Sequence, residues 1–297
     1  MYVFLIRSVF CDFLKVIYTN RVLITKYLKM TGSKLKNYPS IAQSFGITGI
    51  ASLAILLVGI AAPLLTNLAG VEAGQLLFEI LAMGIPLLIV LRLRNKKAGY
   101  LPINLSLKNK RILPYLVLAS IALLIGIINP LSSLIPMPES LKQEFLTLAS
   151  QTGVFTFITL VIAAPILEEL IFRGIILDGL LKRYSPTKSI LISSLLFGLV
   201  HLNPWQFVTG FVLGIFIGWV YNNTKSLTTS IIIHASFNLT AYLLRMSLDM
   251  EKLINSTLVE LYGGIINLIT AIIGSLLIVL ICVYFLKKEF KKGELVS

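Results

Sequence analysis

Three short motifs place polar side chains inside apolar stretches of this sequence. Residues 167–174 read LEELIFRG, residues 197–201 read FGLVH, and residues 234–238 read HASFN. Together they contain two adjacent carboxylates, a guanidinium, a carboxamide and the only two histidines of the chain. A charge near the centre of a bilayer costs about 2.5–3.5 kcal/mol on insertion scales, so these residues need a structural or chemical purpose.

The spacing within the first motif separates the roles of its two carboxylates. Neighbouring residues of a helix point about 100° apart, so Glu168 and Glu169 cannot both face one cavity. Glu169 and Arg173 stand at i and i+4 in the favourable order, which predicts an ion pair that braces the helix. That leaves Glu168 as the carboxylate available for chemistry.

The residue types of the three motifs suit the hydrolysis of a peptide bond. A carboxylate in a dry environment suits a general base, and beside an imidazole it can hold and deprotonate a water molecule. His234 and Asn238 share one helix face, and an imidazole and a carboxamide can donate to the oxyanion that forms when water attacks a carbonyl. A bridge between helices is the alternative role of Asn238.

A metal site is the competing interpretation of the same residues. Glu168, His201 and His234 could hold zinc, with a water molecule in the fourth position. The HExxH pattern is missing, however, and three different helices would have to supply the ligands. The expectation is therefore a site without a cofactor, and zinc or another divalent metal is the alternative.

The elements that must position these motifs are membrane-spanning helices. The chain is 57% hydrophobic and 13% charged, with a mean hydropathy of +0.90. Apolar runs of about 20 residues recur and strands of alternating polarity do not, which predicts an all-α, polytopic transmembrane bundle. The eight predicted spans are 45–68, 74–92, 112–134, 154–182, 187–203, 205–222, 227–246 and 260–286.

These spans bring the motifs to similar depths in the membrane. Glu168 lies 17 residues before Ser185, in the turn between spans four and five, and His201 lies 16 residues after it. At about 1.5 Å per residue, both lie roughly 20–25 Å from that turn, and His234 and Asn238 lie roughly 14–20 Å from the loop before span seven. We therefore expect an intramembrane catalytic cavity that opens towards the cytoplasm.

The basic residues indicate how the chain crosses the membrane. The formal net charge is +13, and nearly all Lys and Arg residues flank the spans at places that lie on one side if eight spans alternate. The other side receives only Lys142, Arg245 and Lys252. The positive-inside rule then places both termini in the cytoplasm, and it explains the charge without a nucleic-acid partner.

The motifs EELIFR, FGLVH and HASFN resemble, in this order, the EExxxR, FxxxH and HxxxN motifs of the CAAX-protease and bacteriocin-processing family. This family of intramembrane endopeptidases is also called the Abi or type II CAAX prenyl endopeptidase family. The resemblance implies that Glu168 and His201 activate water and that His234 and Asn238 serve the oxyanion. It also implies a conical cavity, and it favours a glutamate mechanism over a metal-dependent one.

Four segments follow from these patterns. They are a basic amphipathic N-terminal segment at 1–44, transmembrane helices with an interfacial helix at 45–149, a catalytic core at 150–246, and a last span with a basic tail at 247–297. Within the core, Glu169 and Arg173 are expected to support the site, and Phe197 to line the cavity.

The sequence thus predicts an intramembrane endopeptidase of the cell membrane. Its substrates would be peptides or membrane-associated proteins of the CAAX-like or bacteriocin type. The alternative is a non-catalytic immunity or scaffold protein of the same fold. Ion or proton transport is a third hypothesis, but the hydropathy pattern shows no inverted repeat.

Two further features have simpler explanations. Glu79, the remaining acid within a predicted span, lies near the outer end of span two, which favours contact with the interface over a role in the cavity. Gly210, Gly214 and Gly218 form a GxxxGxxxG ridge on span six, which is typical of close helix packing.

Overall fold

A computed structural model describes residues 37–98, 103–248 and 255–294, and within these ranges the protein consists of helices without strands. The predicted all-α class is confirmed. Most of the N-terminal segment predicted at 1–44 lies outside the described residues. The helices, numbered in chain order, are α1 (Ile41–Ile60), α2 (Ala62–Ala69), α3 (Val71–Ala98), α4 (Lys110–Ser133), α5 (Glu139–Ala149), α6 (Val154–Leu180), α7 (Pro186–Leu199), α8 (Pro204–Thr224), α9 (Leu227–Ser247), α10 (Leu258–Leu261) and α11 (Ile265–Glu294).

Seven helices of the described chain are long and apolar enough to cross a membrane, namely α1, α3, α4, α6, α8, α9 and α11. They coincide with seven of the eight predicted spans, and the protein is a multi-pass membrane protein. The remaining span, predicted at 187–203, is the 14-residue helix α7. It is shorter than the ~20 residues of a full crossing because the chain turns at residues 200–203, where Leu202 adopts a left-handed conformation (φ 58°).

Helices α7 and α8 form an antiparallel hairpin in which the two backbones touch. A Cβ atom on Gly210 would lie 3.0 Å from the Cα of Gly198, and one on Gly214 would lie 3.1 Å from the Cα of Ser194. Such approach requires small residues, because any larger side chain would push the helices apart. The glycine ridge is therefore a packing surface, as the sequence predicted.

Helices α3 and α6 run side by side in the same direction and are tied at both ends. Near the start of α6, the Gly153 N–H donates to the Glu72 carboxylate at 2.7 Å. Near its end, the fully buried Arg94 donates to the Ile175 carbonyl at 2.6 Å and to the Asp178 carboxylate. These polar ties stand at either end of an apolar interface, so α6 is held in place along its length.

Helix α6 is not a uniform α-helix. Residues 158–163 and 170–177 form π-helical turns, and residues 164–169 between them are α-helical. Pro165 favours an irregularity here, because it has no N–H and its ring crowds the preceding turn. The short α-helical piece between the π turns carries both glutamates of the first motif. A π turn changes the direction in which side chains point, and such turns are frequent at functional sites.

Two apolar clusters form the core of the described bundle. One joins α6 and α7 to α3 and includes the buried side chains of Phe172 and Phe197. The other joins α4, α8, α9 and α11 and includes Leu116 and Ile217. Trp219 of α8 packs against both clusters, so α8 lies between the two halves of the bundle.

Replacing Gly210 with alanine is expected to lower the thermal midpoint of the purified protein in detergent by several degrees. The new methyl group would lie 3.0–3.3 Å from backbone atoms of Phe197 and Gly198, and packed backbone cannot move aside as a flexible side chain can. Gly84→Ala is the matched control, because a Cβ there meets nothing within 4 Å and alanine favours the helix. Equal midpoints in the two variants would contradict the proposed tight contact.

Candidate active site

Glu169 lies at the centre of a polar cluster inside the bundle. Its Oε1 accepts a hydrogen bond from Nη1 of Arg173 at 2.8 Å and lies 3.0 Å from Nδ1 of His234. Glu169 and Arg173 are both fully buried, and His234 is nearly so. The ion pair predicted from the i, i+4 spacing is formed. The same carboxylate oxygen also orients an imidazole from α9.

Arg173 is held by three different groups. Besides Glu169, its guanidinium donates through Nη2 to the Gly214 carbonyl of α8 at 3.4 Å and lies 4.3 Å above the ring of Phe197. A planar, delocalised cation suits both a forked hydrogen-bond pattern and an aromatic face, whereas a lysine ammonium does not. Arg173 therefore links α6 to α7 and α8.

The contact with Glu169 determines the position of a proton on His234. A carboxylate only accepts hydrogen bonds, so Nδ1 carries the hydrogen and donates it. The other ring nitrogen, Nε2, lies 3.9 Å from Oε2 of Glu168, beyond the range of a direct hydrogen bond. Oε2 of Glu168 is buried, and no described residue donates to it. Glu168 is thus the motif carboxylate that the ion pair leaves available.

Phe197 brings the second histidine into the same group. Its buried ring contacts His201 edge-on at 5.4 Å and His234 edge-on at 5.6 Å between ring centroids, and Arg173 lies over its face. A ring face attracts a cation and the edges of neighbouring rings. Phe197, predicted to line the cavity, therefore touches three of the predicted site residues.

The turn after α7 fixes the orientation of His201. Nδ1 of His201 lies 2.8 Å from the Phe197 carbonyl, which only accepts, so Nδ1 carries the hydrogen and Nε2 is the acceptor of the neutral ring. Asn203 donates to the His201 carbonyl at 3.1 Å and caps α8 by accepting from the Gln206 N–H at 2.8 Å. The backbone of His201 is therefore anchored to the start of α8.

Asn238 lies one turn beyond His234 on α9 and contacts a different part of α6. Its side-chain Nδ2 donates to the carbonyl of Leu160 at 2.7 Å. The structure thus brings Arg173, His201 and His234 to the ring of Phe197, and Glu168 and Glu169 to the imidazole of His234. The side-chain amide of Asn238 is hydrogen-bonded to the backbone of Leu160, which lies eight residues before Glu168 on α6.

Glu79 borders this group from α3. It lies on a helix stripe that continues through the buried Met83, Leu87 and Val90, and its own Oε1 is buried with no hydrogen-bond partner among the described residues. Glu79 therefore faces the interior of the bundle, not the interface that its position in the sequence favoured.

The described residues contain no group of three histidine, cysteine, aspartate or glutamate side chains placed to hold a metal ion. A metal requirement at Glu168, His201 and His234 stays an alternative for experiment.

Sequence patterns did not reveal all the contacts of the site. Glu169 and His234 are 65 positions apart, and no local spacing pairs them. Asn203 was also overlooked, although an asparagine before Pro204 is a common sign of a helix start. The stripe that turns Glu79 inwards is visible in the sequence, but the helix that it faces is not.

Comparison with known proteins places the three motifs in a single family segment. Residues 150–240 match the family model described as "Type II CAAX prenyl endopeptidase Rce1-like". The resemblance inferred from the motifs is confirmed over this segment, which contains all the residues grouped around Phe197.

A curated relative points in the same direction. The chain is 35% identical over 77 residues to the Bacillus subtilis (strain 168) protein named "Putative membrane peptidase YdiL". The aligned part covers 26% of this chain and 32% of that protein, so the chain spans about a third of the relative's length. No solved structure matches the chain.

Arg173→Met is expected to destabilise the protein by about 3–5 kcal/mol, because it leaves the buried carboxylate of Glu169 without its cation. Adding Glu169→Leu to the same chain should recover part of this loss, since the carboxylate that lost its cation is then removed as well. Thermal midpoints of the single and double variants in detergent measure both effects.

Lys142→Met is the matched control for this pair of variants. Lys142 also forms an ion pair, 2.8 Å from Glu139, but that glutamate side chain is 79% exposed. Exposed pairs contribute little, so this change should leave the midpoint nearly unchanged. A loss in Arg173→Met no larger than that in Lys142→Met would show that the buried pair does not brace the site.

Proposed function

We propose that the protein is an intramembrane endopeptidase in which Glu168 is the general base. The family match supports a CAAX-type endopeptidase at the level of the family. The observation that carries the proposal is the position of His234, whose Nδ1 is backed by Glu169 at 3.0 Å while its Nε2 faces Glu168 at 3.9 Å. A carboxylate, an oriented imidazole and a supporting carboxylate form an acid–base arrangement that hydrolysis can use.

In the proposed reaction, Glu168 and His201 hold and activate a water molecule. The neutral ring of His201 offers its Nε2 as an acceptor, and Glu168 has an oxygen that no described side chain or backbone group uses. The water oxygen attacks the substrate carbonyl while its proton passes to Glu168. The same proton then passes to the leaving amine, so the carboxylate is regenerated.

His234 and Asn238 are the proposed donors to the oxyanion. With a proton on both nitrogens, the imidazole of His234 can donate through Nε2–H to the developing charge while Glu169 stabilises the imidazolium through Nδ1. Asn238 can donate the second hydrogen of its amide, since the first is held by the Leu160 carbonyl. Arg173 pairs with Glu169 at 2.8 Å and holds that carboxylate beside His234.

The proposed substrates are peptides or membrane-associated proteins of the CAAX-like or bacteriocin type, which reach the site from the cytoplasmic side or laterally. The basic loops favour cytoplasmic termini by the positive-inside rule. The alternative function, a non-catalytic immunity or scaffold protein, would keep the bundle and its ion pairs but would not need Glu168.

Glu168→Gln is expected to reduce cleavage by about 10²–10⁴-fold, because the amide keeps the shape of the side chain and cannot accept the proton. The measurement is cleavage of prenylated and unprenylated CAAX-type peptides by purified protein, together with the search for lost neo-termini in membranes of cells that express the variant. Glu139→Gln, the same change at an exposed position, is the control and should cleave normally.

The result for Glu168→Gln also decides between the two classes of function. Wild-type turnover in this variant, with an unchanged thermal midpoint, would show that Glu168 is not the general base. Full protection against a toxin by the same variant would support the immunity or scaffold role instead.

Purified protein stripped of metal ions by a strong chelator is expected to keep its peptidase activity, because the proposed steps use only side chains. Turnover measured before and after chelation, with metal content determined on the same sample, checks this expectation. Loss of activity on chelation, followed by recovery on adding back zinc, would favour the metalloprotease alternative.

A further inference from the structure

We infer that Glu79 is a further functional residue of this site, a carboxyl group that exchanges protons with Glu168 through buried water. The catalytic part of this inference rests on the proposed function, in which Glu168 is the general base. The buried Oε1 of Glu79 has no hydrogen-bond partner among the described residues, and the proposed reaction does not use it.

Helices α3 and α6 keep one register along their contact. Near one end, Glu72 accepts a hydrogen bond from the Gly153 N–H, and near the other, Arg94 donates to the Ile175 carbonyl. The two pairs are both 81 positions apart in the sequence, so neither helix slips against the other between these contacts. A residue of α3 in this interval is therefore level with the residue of α6 that follows it by 81 positions.

This register places Glu79 level with Leu160 and directs its side chain towards α6. At 100° per residue, Glu79 shares one stripe with Glu72 and Arg94, whose side chains both contact α6. Helix α3 also packs against the π turn that contains Leu160 and against the short α-helical piece after it. The Leu160 carbonyl accepts from the amide of Asn238, so a polar group of α9 lies in the same layer.

Glu79 and Glu168 each have an oxygen that needs a donor. Oε1 of Glu79 and Oε2 of Glu168 are both buried, and no described residue donates to either oxygen. Both side chains keep some accessible surface, so the space beside them can admit water. Buried polar atoms without a protein partner are costly in an apolar bundle, and ordered water commonly satisfies them. We therefore place water molecules between the two carboxyl groups.

About three water molecules are enough to connect these groups. Leu160, which is level with Glu79, lies eight residues before Glu168. At about 1.5 Å per residue, this separates the two carboxyl groups by about 12 Å along the helix axes. Hydrogen-bonded oxygens lie about 2.8 Å apart, so about three waters between two carboxyl oxygens cover that distance.

A relay at Glu79 completes the proton balance of the proposed reaction. When the scissile bond breaks, the proton held by Glu168 leaves with the amine, and the acyl fragment is released as a carboxylic acid. This acid gives its proton to Glu168 and becomes the product carboxylate, and the water chain carries the proton on to the Glu79 carboxylate. Glu79 then releases the proton to bulk water, so both glutamates return to their starting state.

The first test compares Glu79→Gln, Glu79→Asp and wild-type protein as full-length chains purified in detergent. Glu79→Gln keeps hydrogen bonds to water but cannot take a proton, so kcat should fall about 10-fold with KM nearly unchanged. Glu79→Asp keeps the carboxyl group and should retain most of the activity. Glu72→Gln is the matched control on the same stripe, because its amide oxygen still accepts from Gly153, and it should cleave normally.

Glu79→Leu separates a relay from a structural role. Removing a buried carboxylate oxygen that has no partner should raise the thermal midpoint by a few degrees, although kcat falls as it does in Glu79→Gln. Glu72→Leu should instead lower the midpoint, because it leaves the Gly153 N–H without its acceptor.

The second test asks whether water reaches residue 79. In a chain whose two cysteines are replaced by alanine, Glu79→Cys and Ile80→Cys are reconstituted in liposomes and treated with a methanethiosulfonate. The reactive thiolate forms where water is present, so Glu79→Cys should react about 10-fold faster than Ile80→Cys. Ile80 is 46% exposed on the outside of the bundle, which makes it the lipid-facing control.

Three results would overturn the inference. Normal turnover in both Glu79→Gln and Glu79→Leu would show that the reaction does not use Glu79. An equal loss of kcat in Glu79→Gln and Glu79→Asp would show that the size of the side chain matters and its proton does not. Equal labelling rates at residues 79 and 80 would show that water does not reach Glu79.

Failure of the proposed function would give a different pattern. Wild-type protein would then cleave no more than Glu168→Gln, while the labelling of Glu79→Cys and the midpoint of Glu79→Leu would still report on water and packing at residue 79.

Discussion

The structure depends on one constraint, which is that the fully buried carboxylate of Glu169 must be neutralised inside an apolar bundle. Glu169 meets it by giving a single oxygen, Oε1, to both Arg173 and His234. Because these partners come from α6 and α9, and Arg173 also reaches the backbone of α8, neutralising one carboxylate brings three helices together. The neighbouring Glu168 has a buried oxygen to which no described residue donates, so it is the carboxylate left to react.

The sequence predicts the membrane-spanning helices of this protein well. Seven predicted spans coincide with helices because runs of about 20 apolar residues have few other stable forms in a membrane. The exception, α7, is also informative. The apolar run of α7 continues to Val200 and Leu202, so averaged hydropathy extends the predicted span to residue 203. The chain turns there because Leu202 is left-handed and Asn203 caps α8. Turn geometry is a local property that a hydropathy average does not register.

The residues of the site could be predicted from the sequence, but the contacts between them could not. Fixed spacing paired Glu169 with Arg173, and equal depth suggested that the histidines meet the glutamates. The contacts between helices depend on how each helix is rotated, and π turns in α6 shift that rotation away from a regular 100° step. For this reason the partner of Asn238, the orientation of His234 and the inward face of Glu79 emerge only from the folded bundle.

The contact between α7 and α8 has a consequence for how this site can vary. Gly210 and Gly198 bring two backbones together, and the carbonyl of Gly214 receives the guanidinium of Arg173. Helices that meet through main-chain atoms are already at their closest approach, so no exchange of side chains can narrow their separation, and a larger residue at the contact would widen it at a cost in stability. A lineage that adapted this scaffold to new peptides would have to do so through the residues that line the space, while the distance between these two helices stayed the same.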